Sequence, residues 1–150
     1  MIGLDIRVEN SYSNNLYKIF DGIDLLKYVW EIHTDSILYT ENGSLKESLF
    51  RDDLLNGEDF LRCISRDSYY MIFVDIKAYP LGSKSIEIKT FEDFSKSNCE
   101  MVLLCADTIF IEFYCKDRSV LDKVYSSCIE NQFETKYLTV EDVSGRSFVA

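Results

Sequence analysis

The chain has 150 residues, 47% of them hydrophobic and 14% aromatic, with a formal net charge of −10. That length suits one domain burying roughly 70% of the surface its unfolded chain exposes, and the aromatic content argues against disorder. The acidic balance repels phosphate backbones and so excludes an ordinary nucleic-acid binder; no apolar run approaches the about 18 residues of a membrane span.

"IGLDIRVEN" alternates Ile2, Leu4, Ile6 and Val8 with polar residues or glycine, which predicts a strand with one buried face. In "SYSNNLYKIFDGI", Leu16, Ile19, Phe20 and Ile23 share one helical face, with Ser11 or Ser13 as the cap and Gly22 near the end. "KYVWEIHTDSILYTENGSL" reads as a hairpin turning at Thr34–Asp35, with a further turn at Asn42–Gly43. "SLKESLFRDDLLNG" is a short helix or a loop pinned by Leu49, Phe50 and Leu54. Asn56 caps a short helix in which Phe60, Leu61 and Ile64 face inward, and Glu58 and Asp59 in the first turn suit its dipole.

"YYMIFVDIKAYP" then predicts a central strand. Tyr70, Ile72, Val74 and Ile76 form its buried face; the other face becomes charged at Asp75 and Lys77, where the strand should reach solvent. A short strand over Ile86–Lys89 precedes a helix capped by Thr90. A second hairpin centred on Asp107–Thr108 would place Val102, Leu104, Ala106, Ile109, Ile111 and Phe113 on one face. "DRSVLDKVYSSCIENQF" is the clearest helix, capped by Asp117 or Ser119, and "TKYLTVEDVSGRSFVA" supplies a last strand and a tail. Short connections favour antiparallel pairing. The expected fold is a single α+β domain over residues 1–150, with a mixed, mostly antiparallel sheet and helices packed on one face.

The five cysteines (Cys63, Cys99, Cys105, Cys115 and Cys128) are odd in number and form no C-x-x-C pair. They read as reduced thiols of a cytoplasmic protein. The N-terminus has no cationic lead-in before its apolar stretch, which is unlike a signal peptide. A serine nucleophile needs a base, and the one histidine, His33, lies in a different predicted hairpin from the Ser65–Ser68 run. No G-x-S-x-G elbow, glycine-rich phosphate loop or zinc spacing is present. Acidic pairs such as Glu58–Asp59 and Glu92–Asp93 are helix first-turn charges, so neither a metal nor a cofactor is expected. Cys115, beside Lys116 and ahead of the last long helix, is the best-placed thiol for reactivity, though a buried structural thiol fits its apolar run better.

The candidate binding residues are Arg66, Asp67, Tyr69 and Tyr70, between a helix and a strand where loops carry function. Tyr12, Tyr17, Tyr28, Tyr39, Tyr69, Tyr79, Tyr114 and Tyr137 exceed what a core of this size requires, and tyrosine favours interfaces. The leading expectation is a non-enzymatic protein-binding module, immunity- or inhibitor-like, that meets a basic protein through an acidic, tyrosine-bearing surface. The alternatives are a small-molecule binder or enzyme with its site near Arg66–Tyr70, and a structural or regulatory homodimer subunit.

"CISRDSYYMIFVDIKAYP", "IEIKTFEDF", "EMVLLCADT", "IEFYCKD" and "CIENQFE" resemble segments of a family of small uncharacterised proteins from low-GC Gram-positive bacteria, grouped as a domain of unknown function. The resemblance covers most of residues 1–140, with "CISRDSYY" its most distinctive run. It implies a cytosolic bacterial protein and supplies no activity, cofactor or catalytic residue.

Overall fold

The computed structural model describes residues 1–148. The alternating N-terminal segment forms strand β1 (Gly3–Arg7), with Leu4 and Ile6 fully buried. Helix α1 (Asn15–Phe20) turns Leu16, Ile19 and Phe20 inward, as their spacing predicts. Neither Ser11 nor Ser13 caps it; Asn14 holds that position without a side-chain hydrogen bond.

The hairpin expected at Thr34–Asp35 does not form. Tyr28–Glu41 is one fourteen-residue strand, β2, paired with the twelve-residue β5 (Tyr69–Pro80). Register shifts between Ile32 and Thr34, and between Ser36 and Ile37, leave His33 on β2 and Ile72 on β5 without partners. Each bulge turns the following side chains over, so turn-like residues are carried inside a strand. The other turn signal holds: Asn42 (φ 51°) and Gly43 (φ 80°) adopt the left-handed conformation that joins β2 to β3 (Ser44–Lys46).

The next segment is a loop pinned by Leu49 and Phe50; Leu54 points to solvent and Leu55 takes the buried place. Strand β4 (Leu54–Asn56) also pairs with β2, and helix α2 (Gly57–Ile64) starts from Asn56, whose Oδ1 accepts from Asp59 N at 2.8 Å. A Cβ at Gly57 would strike the Leu25 carbonyl, so only glycine lets α2 enter beside that segment.

Residues Ile86–Lys89, expected as a strand, are irregular. Thr90 and Asp93 form a reciprocal capping box at α3 (Phe91–Lys96). Strands β6 (Met101–Ala106) and β7 (Phe110–Cys115) form the expected hairpin in a shifted register. Its loop has three residues, because the last pair is Ala106 with Phe110. Val102 and Leu104 therefore share a face with Tyr114 and Glu112, rather than with Ile111 and Phe113. Helix α4 (Arg118–Glu130) is capped by Asp117, and β8 (Glu134–Leu138) and α5 (Val140–Val143) complete the described chain.

The architecture is α+β. Eight antiparallel strands form a sheet in the order β3-β2-β5-β6-β7-β1-β8, with β4 also on β2. Helices α1, α2 and α4 pack on one face, where Trp30 stacks on Phe60 at 4.1 Å and Phe20 meets both edge-on. The other face carries a smaller layer from α3, α5 and Phe148, over Tyr79, Val102, Leu104, Tyr114 and Leu138. No described helix is long and apolar enough to cross a membrane.

That second layer corrects the reading of Asp75 and Lys77. Rather than reaching solvent they are 2% and 1% exposed, and Lys77 Nζ lies 2.5 Å from Asp75 Oδ1. Nζ also donates to the Phe148 carbonyl at 3.3 Å. Val74 is fully buried as expected, whereas Ile72, at the bulge, is only half-buried.

Removing one partner of a buried ion pair leaves an uncompensated charge and costs about 3–5 kcal/mol. Lys77→Met alone should lower unfolding stability by about that much, whereas Asp75→Val with Lys77→Met should recover most of it. Urea unfolding checks both, and a single variant as stable as the double would refute the pairing. By the same measurement Val74→Ala should cost about 2 kcal/mol and Ile72→Ala clearly less.

Candidate functional site

The "CISRDSYY" stretch runs from the last turn of α2 into β5. Arg66 lays its guanidinium over the Tyr39 ring at 4.8 Å, with Nη1 3.7 Å from Glu41 Oε1. Its Nε is buried without a hydrogen-bond partner among the described residues. Asp67 is exposed. Tyr69 is 1% exposed and structural: its hydroxyl accepts from Leu16 N (3.1 Å) and Tyr17 N (3.4 Å) and donates to Ile64 O (2.8 Å). It thus satisfies the open N–H groups of α1 and a C-terminal carbonyl of α2, the work expected of a serine cap. Burial pushes its phenol well above the ordinary tyrosine range. Tyr70 faces the opposite side of the sheet, where its hydroxyl donates to Asn10 Oδ1 and its ring lies 5.3 Å from Tyr12. The four residues therefore do not converge. Arg66 lines a cavity of about 240 Å³ that the other three do not border.

The remaining reactive side chains are accounted for by packing. Cys115 is buried, its thiol 3.4 Å from the Asp117 carbonyl, and burial pushes its pKa up to about 12. A thiol held protonated is a poor nucleophile. His33 is the unpaired residue of β2, and its Nε2 contacts Glu31 Oε1. The pair borders a shallow cavity of about 620 Å³ with Tyr79 and Lys84. Tyr39, Tyr69, Tyr79 and Tyr114 all lie in the core, so half of the tyrosines assigned to the surface are core residues.

What the sequence does not expose is a row of side chains running straight across the sheet. Ser36 pairs with Phe73. Phe73 and Ala106 extend the ladder that begins at Val74–Cys105, Ala106 pairs with Phe110, Phe110 with Arg7, and Arg7 with Glu134. All six residues are exposed, Phe73 at 39% and Phe110 at 44%. They lie on the face that α3 and α5 cover elsewhere. The next row on that face (Thr34, Asp75, Leu104, Glu112, Asp5 and Lys136) is partly covered, and the one beyond it (Glu31, Lys77, Val102, Tyr114, Gly3 and Leu138) lies under the second layer except at Glu31. Arg146 marks the boundary, with Nη1 2.8 Å from Glu112 Oε1, 3.1 Å from the Tyr114 hydroxyl and 3.7 Å from Asp5 Oδ1.

The uncovered end is aromatic and acidic. Arg7 stands over the Phe110 ring at 4.7 Å, so its charge is engaged within the row. Tyr12, 51% exposed, and Tyr70 extend the aromatic surface on the β5 side. Glu9, Asp67, Asp107 and Glu134, all exposed, lie in the strand ends and turns at this end of the sheet. The row depends on the single-residue slip in the β6–β7 hairpin, which places Phe110 rather than Ile109 opposite Ala106 and which the sequence does not show.

Comparison with known proteins places this architecture in a family. No solved structure matches the chain. It is 32% identical over 142 residues to an uncharacterized protein, YncE, of Bacillus subtilis (strain 168), covering 93% of each chain. The family described as "Protein of unknown function (DUF2691)" matches residues 1–149. The chain belongs to the DUF2691 family.

Proposed function

We propose that the protein is a non-enzymatic binding module whose uncovered sheet end docks a basic protein. The observation that carries this reading is the exposed row from Ser36 to Glu134, in which Phe73 and Phe110 face water beside an otherwise covered sheet face. Large aromatic side chains set in a polar surround are typical of interface anchors. The acids Glu9, Asp67, Asp107 and Glu134 around it suit a cationic partner, speeding encounter more than they tighten the complex. An immunity- or inhibitor-type role is one form of such recognition. The tyrosine contribution narrows to Tyr12 and Tyr70, because the core claims Tyr39, Tyr69, Tyr79 and Tyr114. Five free cysteines, four of them buried, support a cytoplasmic setting.

Tagged protein should capture a basic protein from native cell lysate at low salt and lose much of it at high salt, since exposed charges are screened beyond about 8 Å at 0.15 M. With that partner on a surface plasmon resonance chip, Phe73→Ser with Phe110→Ser should raise the off-rate at least about tenfold. Asp107→Asn with Glu134→Gln should slow the on-rate at low salt and leave the off-rate nearly unchanged. Capture and kinetics indifferent to the phenylalanine pair would remove this surface from the proposal.

The thiols give a second check. The pKa values of Cys99, Cys105, Cys115 and Cys128 are all pushed up to about 12, by burial first. A group whose folded pKa lies above its unfolded value stabilises the fold below the unfolded value and loses that contribution as pH rises through the folded one. Stability should therefore decline from about pH 9 towards pH 12. Ellman-type titration of freshly purified protein, without reductant, should count five thiols after denaturation. A count of three or one would place the protein in an oxidising compartment.

A further inference from the structure

Half of the arginines in this acidic chain line one small cavity. Of six in the sequence, Arg51, Arg62 and Arg66 border the space of about 240 Å³ between α2 and the loop before β4, with Cys63 and Leu55. Arg62 and Arg66 are four residues apart, from the last full turn of α2 to just past its C-cap Ser65. Arg51 enters from the loop directly after the buried Leu49 and Phe50, which fix where it can reach. The three charges bear on one point: burial and Asp59 raise the Cys63 pKa, while Arg66, Arg51 and Arg62 each pull it down.

The guanidiniums are held in place without being fully satisfied. Arg66 is fixed over the Tyr39 ring with Nη1 3.7 Å from Glu41 Oε1, and its buried Nε lacks a partner among the described residues. Arg62 Nη1 is 2.8 Å from Asp59 Oδ1, and its Nη2 is 3.5 Å from Glu58 Oε1. Asp52 and Asp59 line the cavity with the three guanidiniums, and Glu58 and Glu41 pair with Arg62 and Arg66 from its edge, so a ligand enters by exchanging with carboxylates.

We propose that this cavity binds the phosphate group of a small anion. A carboxylate is matched by one arginine fork, whereas a phosphate offers more acceptor oxygens and a second charge, which suits three forks. The volume lies below the about 300–1,000 Å³ usual for sites that enclose a whole drug-sized ligand. The cavity therefore fits a phosphate group with at most a short organic remainder. Asp59 holds Arg62 when the site is empty and competes with the ligand when it fills. The site lies on the α2 side of the sheet, opposite the exposed row, and does not depend on the protein-binding reading.

Isothermal titration of the full chain with inorganic phosphate, phosphoserine and acetate tests this. Saturable binding of either phosphate compound, at least tenfold tighter than acetate, is the expected result. Tighter phosphoserine assigns the site to a phosphate monoester, and equal or tighter inorganic phosphate assigns it to the free ion. Arg51→Gln and Arg66→Gln should each weaken binding at least tenfold. Asp59→Asn should strengthen it, and this gain stands even if an arginine variant folds poorly. Acetate binding as tight as phosphate, no saturable phosphate binding, or an Asp59→Asn variant with weakened binding would overturn the proposal.

Discussion

A desolvated ion pair in the middle of the central strand constrains the rest of the molecule. Asp75 and Lys77 are two residues apart on β5, so both side chains leave the sheet on the same face. Burying them costs several kcal/mol per ion unless each charge meets its partner and the spare donors are satisfied. The Phe148 carbonyl accepts a hydrogen bond from Lys77 Nζ, which requires the C-terminal segment to return over the sheet. It is fastened there by hydrogen bonds from Phe91 N to Arg146 O (3.0 Å) and from Phe148 N to Lys89 O (2.7 Å). Phe148 then packs against Tyr114 at 4.2 Å, and Gly3 leaves room for the Tyr114 ring where a Cβ would come within 2.8 Å of it. The cover extends as far as the ion pair needs and ends at Arg146. The row from Ser36 to Glu134 lies beyond that cover and is exposed.

The bulge at Ile72 sets the other half of β5. Without it Tyr69 and Met71 would share a face with Asp75 and Lys77. With it they turn to the α2 side, and Tyr70 turns to the uncovered side that Phe73 shares with Asp75. One inserted residue thus delivers a hydroxyl to two helix ends and the Tyr70 ring to the face where Phe73 is exposed. Both consequences need the length of β5, since a strand that ended at the bulge could not pair on either side of it.

Local chemistry was legible in the sequence and partner choice was not. The caps Asn56, Thr90 and Asp117 act within a few residues of themselves; the first two are where the sequence puts them, and Asp117 is one of the two it offers for α4. The Thr34–Asp35 turn does not form because a turn signal competes with a long partner strand, and β5 supplies that partner. Ile86–Lys89 has strand-like alternation, but a strand needs an open edge, and β5 is already flanked by β2 and β6. The buried tyrosines reverse the composition argument. A phenol can enter the core once its hydroxyl finds a partner, as Tyr69 does with Ile64 O and Tyr79 with Ile86 O. Of the four candidate binding residues, only Arg66 lies in a cavity, and its neighbours there were partly visible: Arg62 precedes it by one helical turn, whereas Arg51 reaches it only through the fold.

The two proposed surfaces share a stretch of backbone, which determines where each can be probed. Tyr39 pairs with Tyr69 and supports Arg66 on the α2 side, while the adjacent pair, Leu38 with Tyr70, faces the uncovered side. A substitution at Tyr39, Tyr69 or Tyr70 therefore disturbs strand pairing between both surfaces, and Tyr69 also holds two helix ends. Loss of binding by such a variant would not tell a lost contact from a moved strand. Phe73 and Phe110 are exposed and carry no hydrogen-bonding side chain, and Arg51 belongs to a loop. Each touches one surface without serving as a support for the other. Tyr69 and Tyr70, the tyrosines among the four candidates, are thus less informative to mutate than Phe73, Phe110 or Arg51, because the fold gives them structural work.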